Sequence, residues 1–132
     1  MPQQTDSAKP VNIRCITDVL VGSKLRIAGR LLCYDHATSF MLLSHHPSSI
    51  LVDLSLCMNS AHNLSYLLEE QSQVMVIGLL EKSSEPLRPP ILPPYSDAPK
   101  VDLTLILRAI MAREVPDMDL NIWNEGISAL DN

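Results

Sequence analysis

Four side chains invite a metal reading first: His45 and His46 sit together in a turn, and Cys57 and His62 follow close to each other downstream. A structural zinc site needs four ligands at tight, paired spacings. No Cys-x-x-Cys or His-x-x-x-His pair completes such a set, so no metal is expected and the two histidines read as loop residues. Asp18, Asp35 and Asp53 read as turn or strand-surface carboxylates rather than an acid–base pair. The chain has no GxSxG, no phosphate-binding Walker loop and no GxGxxG. Neither catalytic residues nor a cofactor are expected. Cys15, Cys33 and Cys57 are unevenly spaced among apolar residues and read as buried thiols in a reducing compartment.

Binding chemistry is better represented. Lys24, Arg26, Arg30, Lys82, Arg88, Lys100 and Arg108, with Tyr34, Phe40 and Tyr95, have the makings of a groove where cations meet phosphates and rings stack on bases. Arg26 and Arg30 stand out because they share one strand face. The opposing reading is ordinary surface solubility, and the formal net charge of −5 favours it, since nucleic-acid binders usually carry a basic balance. Aromatic residues, at 4%, leave few stacking platforms. A second constellation is the stripe Leu120, Trp123, Ile127 and Leu130, at helical spacing. It either closes the end of its own domain or docks on a partner's helix with Trp123 as anchor. Gly126 weakens that helix by about 1 kcal/mol, so it needs support from outside itself.

The elements that position these residues are mostly strands. Gly22 to Asp35, GSKLRIAGRLLCYD, alternates: Lys24, Arg26 and Arg30 on one parity, Leu25, Ile27 and Leu31 on the other. Gly29 inside it marks a sharp bend or a close backbone approach. A weak lead-in strand is expected over Val11 to Ile16, a second strand over Phe40 to Ser44, and a third over Ile50 to Cys57. Ala61 to Glu70 reads as a short helix. Gln73 to Lys82 reads as a fourth strand, central and buried on both faces. Six prolines between Ser83 and Pro99 exclude helix and sheet interior, leaving a long exposed loop. Lys100 to about Met111 is a fifth strand, with Val101, Leu103, Leu105 and Leu107 inward and Asp102, Thr104 and Arg108 outward. Asp117 is the expected N-cap of the terminal helix.

This is the element order of an all-β, five-stranded OB barrel with a short helix between strands three and four and a C-terminal helix. An SH3-like barrel has a compatible order. The expected layout is a flexible arm over residues 1–9 and one domain over 10–132, with the proline-rich loop at 83–99. At 132 residues, 46% hydrophobic and 19% charged, the chain suits one domain with apolar surface left for a partner. Its longest apolar stretches are too short for a membrane span. The polar N-terminus lacks a signal-type core, which points to an intracellular protein.

The stretch Gly22 to Asp35 resembles the first barrel strand of the smallest, Ten-type subunit of the CST telomere-capping complex. The similarity continues in Leu42-Leu43 and the histidine turn, in Leu51-Val52-Asp53, in Val74 to Gly78 and in the terminal helix. It spans about Pro10 to Leu130 and looks most like fungal members. It implies a non-enzymatic, nuclear OB subunit at telomeres that pairs with a Stn-type OB subunit, helix to helix and barrel to barrel. A larger Ctc/Cdc-type subunit completes the assembly on single-stranded telomeric DNA, and no membrane is involved. Carried over by position, Leu120, Trp123, Ile127 and Leu130 form the helical contact and Arg26 adds a polar one. Lys24, Arg30, Tyr34, Phe40, Lys82, Arg88, Lys100 and Arg108 remain the nucleic-acid candidates. The alternative is a scaffold OB module of another genome-maintenance complex, like the small subunit of replication protein A, without DNA contact. The proline-rich loop is longer than the fold needs.

Overall fold

The computed structural model describes residues 7–57, 72–92 and 99–130, the last three without their side chains. Its elements are β1 (Lys9–Pro10), β2 (Lys24–Asp35), β3 (Phe40–His45), β4 (Ser48–Asp53), β5 (Gln73–Lys82), β6 (Lys100–Glu114) and α1 (Leu120–Leu130). Short 3-10 turns occupy Ile13–Cys15 and Asp18–Leu20. The sheet runs β1-β2-β3-β4-β6-β5, and a further β2–β5 pairing closes the last five strands into a barrel. The β4–β6 pair is parallel and the remaining barrel pairs are antiparallel. This is the OB barrel, as the element order implied. The helix expected over Ala61 to Glu70 lies outside the described residues.

Two glycines make closure possible. A Cβ on Gly29 would stand 2.6 Å from the Ser44 carbonyl oxygen, and one on Gly78 would stand 2.4 Å from that of Arg108. Both contacts are with backbone, so at these points the neighbouring strand comes closer than any side chain permits. At Gly78 the β5–β6 register shifts as well, Ile77 pairing with Met111 and Gly78 with Ala109, which leaves Ile110 as the extra residue of a bulge. Inside the barrel, Leu25, Ile27, Leu31, Met41, Leu43, Val52, Val76, Leu80, Leu105 and Leu107 form one core, each at most 2% exposed.

The structure departs from several expectations. The lead-in strand is Lys9–Pro10, parallel to β2, and not Val11 to Ile16. Asn12 instead caps a 3-10 turn by accepting from the Arg14 N–H at 3.2 Å, and that turn leaves Cys15 exposed, whereas Cys33 and Cys57 are buried. The third barrel strand stops at Asp53, whose Oδ1 accepts from the Ser55 N–H at 2.9 Å and turns the chain. The β5 strand is central, as expected, but buried on both faces only at Val74 to Val76; beyond that Leu79 is 40% exposed. The inward parity expected for β6 holds for Leu105 and Leu107 only.

Val101 and Leu103 join a second apolar cluster, on the outer surface. There Cys33, Leu42, Leu51 and Ile106 stand level with one another across β2, β3, β4 and β6. Leu87 and Leu92 of the proline-rich loop pack on this row, and Pro90 is buried. The loop is therefore not simply exposed. Its Leu87 N–H donates to the Leu103 carbonyl at 2.8 Å and its Ser83 N–H to that of Thr104 at 2.7 Å. Proline excludes regular structure but leaves the leucines beside it free to cover apolar surface.

Candidate interaction surfaces

On the outer face of β2, β5 and β6 the register sets residues in rows. Lys24 is level with Leu79 and Arg108; Arg26 is level with Ile77 and Met111; Ala28 is level with Met75 and Arg113. Leu79, Ile110 and Met111 remain 40–50% exposed. The bulge at Gly78 turns Ile110 outward. The result is an apolar strip on β5 and β6 edged by Lys24, Arg26, Arg108 and Arg113. Exposed apolar surface with a polar rim is the ordinary composition of a protein-binding face. The Val- and Ile-rich run of β5 reads as core, which hides Leu79, and Met111 stands at the expected end of β6 with no polar neighbour pattern to mark it as exposed. The signal that could have found Ile110 was Gly78, which marks the bulge.

The helix α1 follows β6 through a pinned linker. The Gln73 side-chain amide donates to the carbonyls of Val115, Pro116 and Met118 at 3.0, 3.2 and 2.7 Å. Asp119, not Asp117, is the N-cap: its Oδ1 accepts from the Asn121 and Ile122 N–H groups at 3.0 and 3.2 Å. Pro116 and Asp117 are consumed in a turn closed by the Met118 N–H on the Val115 carbonyl. Within the stripe, Leu120 and Trp123 are half-buried and Ile127 is only 5% exposed. Ile127 has thus left water before any partner arrives. The Leu130 side chain lies outside the described residues. On another side of the helix Ile122 is 66% exposed, a residue the stripe pattern passed over.

The nucleic-acid candidates do not converge on one groove. Lys24, Arg30 and Arg108 share the β2–β5–β6 face. Lys82 is bonded to Asp18, and Arg108 pairs with Glu81 at 3.2 Å. Tyr34 is half-buried against the barrel core, its ring edge-on to His36 with centroids 4.9 Å apart. The register shift between Leu31 and Cys33 reverses the parity of β2 and takes Tyr34 off the arginine face. Phe40 lies against the outer cluster, between Asp35 and Asp53 in register. Two flanking carboxylates make that ring a poor platform for a polyanion. Arg88 is exposed on the proline-rich loop, and Lys100 is exposed opposite Ser48 at the head of β6.

The family of Ten1-type proteins, described as telomere-capping subunits of the CST complex, matches residues 8–131. The chain belongs to this family. No curated protein matches it. Among solved structures, it is similar to the Schizosaccharomyces pombe Stn1–Ten1 complex, with a TM-score of 0.66 and 18% identity over 98% of this chain and 97% of that one. It is also similar to the telomere-capping protein Ten1 of S. pombe, at 0.63 and 18% identity over 95% and 98%. An Entamoeba histolytica asparaginyl-tRNA synthetase shares the fold at 0.61 and 13% identity, over 89% of this chain but 26% of that one. At these identities the structures establish the OB barrel. The family match adds telomere capping within the CST complex. Members of a complex need binding faces, and the strip around Arg26 is the most apolar open face among the described strands. Among the described residues no three His, Cys, Asp or Glu side chains gather to hold a metal ion.

Proposed function

We propose that this chain is the small, non-catalytic capping subunit that binds a Stn-type OB partner in the nucleus, at chromosome ends. The docking face is the strip of Leu79, Ile110 and Met111 with Arg26 at its edge, and α1 adds Leu120 and Trp123. Ile127 and Leu130 complete the helical part, Ile127 by seating the helix on its own chain. The observation that carries this reading is the strip itself: three large apolar side chains, 40–50% exposed, on adjacent strands of a closed barrel. Burying them would remove the exposed surface that the chain's apolar composition leaves over.

Together with a larger Ctc/Cdc-type subunit, the pair holds single-stranded telomeric DNA. The cations that this chain contributes do not line one continuous groove. Its net charge of −5 and the Lys82–Asp18 and Arg108–Glu81 pairs argue against strong binding by the chain alone. The same observations favour the second reading, a scaffold OB module without DNA contact. The two readings separate when Lys24, Arg30 and Lys100 are neutralised in the assembled complex. The capping reading expects weaker DNA retention and a shallower salt slope; the scaffold reading expects neither.

The partner face is tested by co-expression with a Stn-type N-terminal domain and sedimentation of the product. The wild type is expected as a one-to-one complex. Met111→Asp and Trp123→Ala should each weaken it, by about 2 kcal/mol or more for an interface anchor, while circular dichroism stays native. A complex that survives both substitutions would refute the assignment.

A further inference from the structure

OB barrels commonly hold oligonucleotides on the outer face of their second and third strands, between the adjoining loops. In this chain those strands are β3 and β4, and their outer face is occupied. Leu42 and Leu51 lie under Leu87 and Leu92 of the chain's own proline-rich loop, which is tied to Leu103 and Thr104 by backbone hydrogen bonds. The loop covers the central row of that face.

Beside the anchored loop, however, the barrel opens. The parallel β4–β6 ladder pairs Ser49 with Val101 and next pairs Leu51 with Ile106, so Ile50 faces four residues of β6, numbers 102–105. The two strands part, and a groove of about 660 Å³ fills the gap, within the range of about 300–1,000 Å³ usual for small-ligand sites. Ile13, Ile16, Ile50 and Leu103 wall it. Ser49 borders it as well, but its hydroxyl oxygen is covered by the protein and lacks a hydrogen-bond partner.

Charge completes the picture. Arg14 and Lys100 stand on the lip, and among the described residues neither has a carboxylate within salt-bridge distance. The Arg14 guanidinium is held in place by donating to the His46 carbonyl, its Nε at 2.9 Å. The acid on the lip, Asp102, accepts from the Thr104 N–H at 2.9 Å and hydroxyl at 2.6 Å; these bonds hold it ionised, so the two cations leave the lip with one net positive charge.

We propose that this groove receives one nucleotide of a single DNA strand, the base against the apolar walls and the flanking phosphates at Arg14 and Lys100. The inference rests on the DNA-holding part of the proposed function and moves the contact away from the usual OB face. It also selects Lys100 from the sequence candidates and adds Arg14, which they did not include.

The test uses the full chain, alone and co-purified with its Stn-type partner. The probe is a fluorescein-labelled oligothymidylate of about 16 nucleotides, within the usual OB site size, carrying one photoreactive 4-thiothymidine. Crosslinks are expected on residues 48–50 or 99–105. Lys100→Glu should weaken binding roughly tenfold, the chain remaining folded. Tight binding with crosslinks elsewhere, unchanged by Lys100→Glu, would overturn the groove and leave the DNA reading standing. No binding by either preparation would overturn both.

Discussion

Replacing Gly78 by alanine adds one carbon atom where the β5–β6 bulge has no space for it. The new Cβ would lie 2.4 Å from the Arg108 carbonyl oxygen, 2.9 Å from its carbonyl carbon and 3.0 Å from the Ala109 Cα. Ordinary contact begins near 3.4 Å, so the strands must part by up to about 1 Å, and no flexible side chain can absorb the strain. Overpacking of this kind costs about 1–3 kcal/mol, and a clash with backbone belongs at the upper end. The lower entropy of an unfolded chain with alanine returns about 0.4–1 kcal/mol. The net loss is about 2 kcal/mol. At about 2.1 cal/mol/K per residue, 132 residues carry roughly 0.28 kcal/mol/K of unfolding entropy. The melting temperature should therefore fall by about 7 °C. Gly126→Ala is the internal control, because nothing lies within 4 Å of its would-be Cβ and it sits inside α1. That change should gain about 0.5–1 kcal/mol and raise the melting temperature by about 2–4 °C. Both melts are read by calorimetry on the purified chain. The bulge also turns Ile110 outward, so Gly78→Ala should weaken partner binding as well as stability. A Gly78→Ala protein that melts at or above the wild-type temperature would show that the close approach of β5 and β6 is not what requires glycine there.

Four further outcomes are expected. Gln73→Ala removes three hydrogen bonds to the linker before α1 and should cost about 1–2 kcal/mol, seen first as faster amide exchange in α1. Burial, and then the nearby Arg14 charge, hold the His45 pKa below its ordinary value of 6.5. The unfolded chain therefore takes up a proton first as pH falls through about 6.5, and stability declines from there until the folded protein also protonates. Urea unfolding across that range should show the decline, and His45→Asn should flatten it. Thiol labelling of the native protein should modify Cys15 rapidly while sparing Cys33 and Cys57; burial, aided by Asp53, also pushes the Cys57 thiol up. Ser49→Ala removes an unsatisfied buried hydroxyl and should raise stability by about 1 kcal/mol in the same chemical-unfolding assay.

The long strands were legible because their side chains alternate and their ends carry turn residues. The bounds of β5 match the sequence reading, and β2 occupies the alternating stretch Gly22 to Asp35 except its first two residues. What counting could not reveal was each place where a strand slips. The shift between Leu31 and Cys33 sent Tyr34 to the other face, and the one between Ser49 and Leu51 sent Val101 and Leu103 outside. A bulge reverses parity without changing composition, so period-two reasoning fails silently beyond it. The partner strip failed to appear for a related reason. Leu79 and Met111 have the composition of core, and only the barrel's closure decides which of its two faces meets water. Asp117 and Asp119 are chemically equivalent caps; the turn through Pro116 selected the second. The groove was invisible because it is a gap between strands remote in sequence, and the proline-rich loop was misjudged because its prolines spoke for the backbone while its leucines did the packing.

The first strand is two residues long, yet its position gives it a protective role. Over its first half β2 pairs with β5 on one side, and on the other the strand paired with it among the described residues is Lys9–Pro10, followed by the Val11 N–H donating to the Arg26 carbonyl at 3.0 Å. Open backbone flanks act as templates for foreign strands. This short segment is a plug in such a flank, next to the arginine that borders the partner strip. Trimming the chain past Pro10 would leave a docking ladder that a second copy could fill, so the boundary chosen for a truncated version decides whether this flank stays covered or pairs edge to edge with another copy.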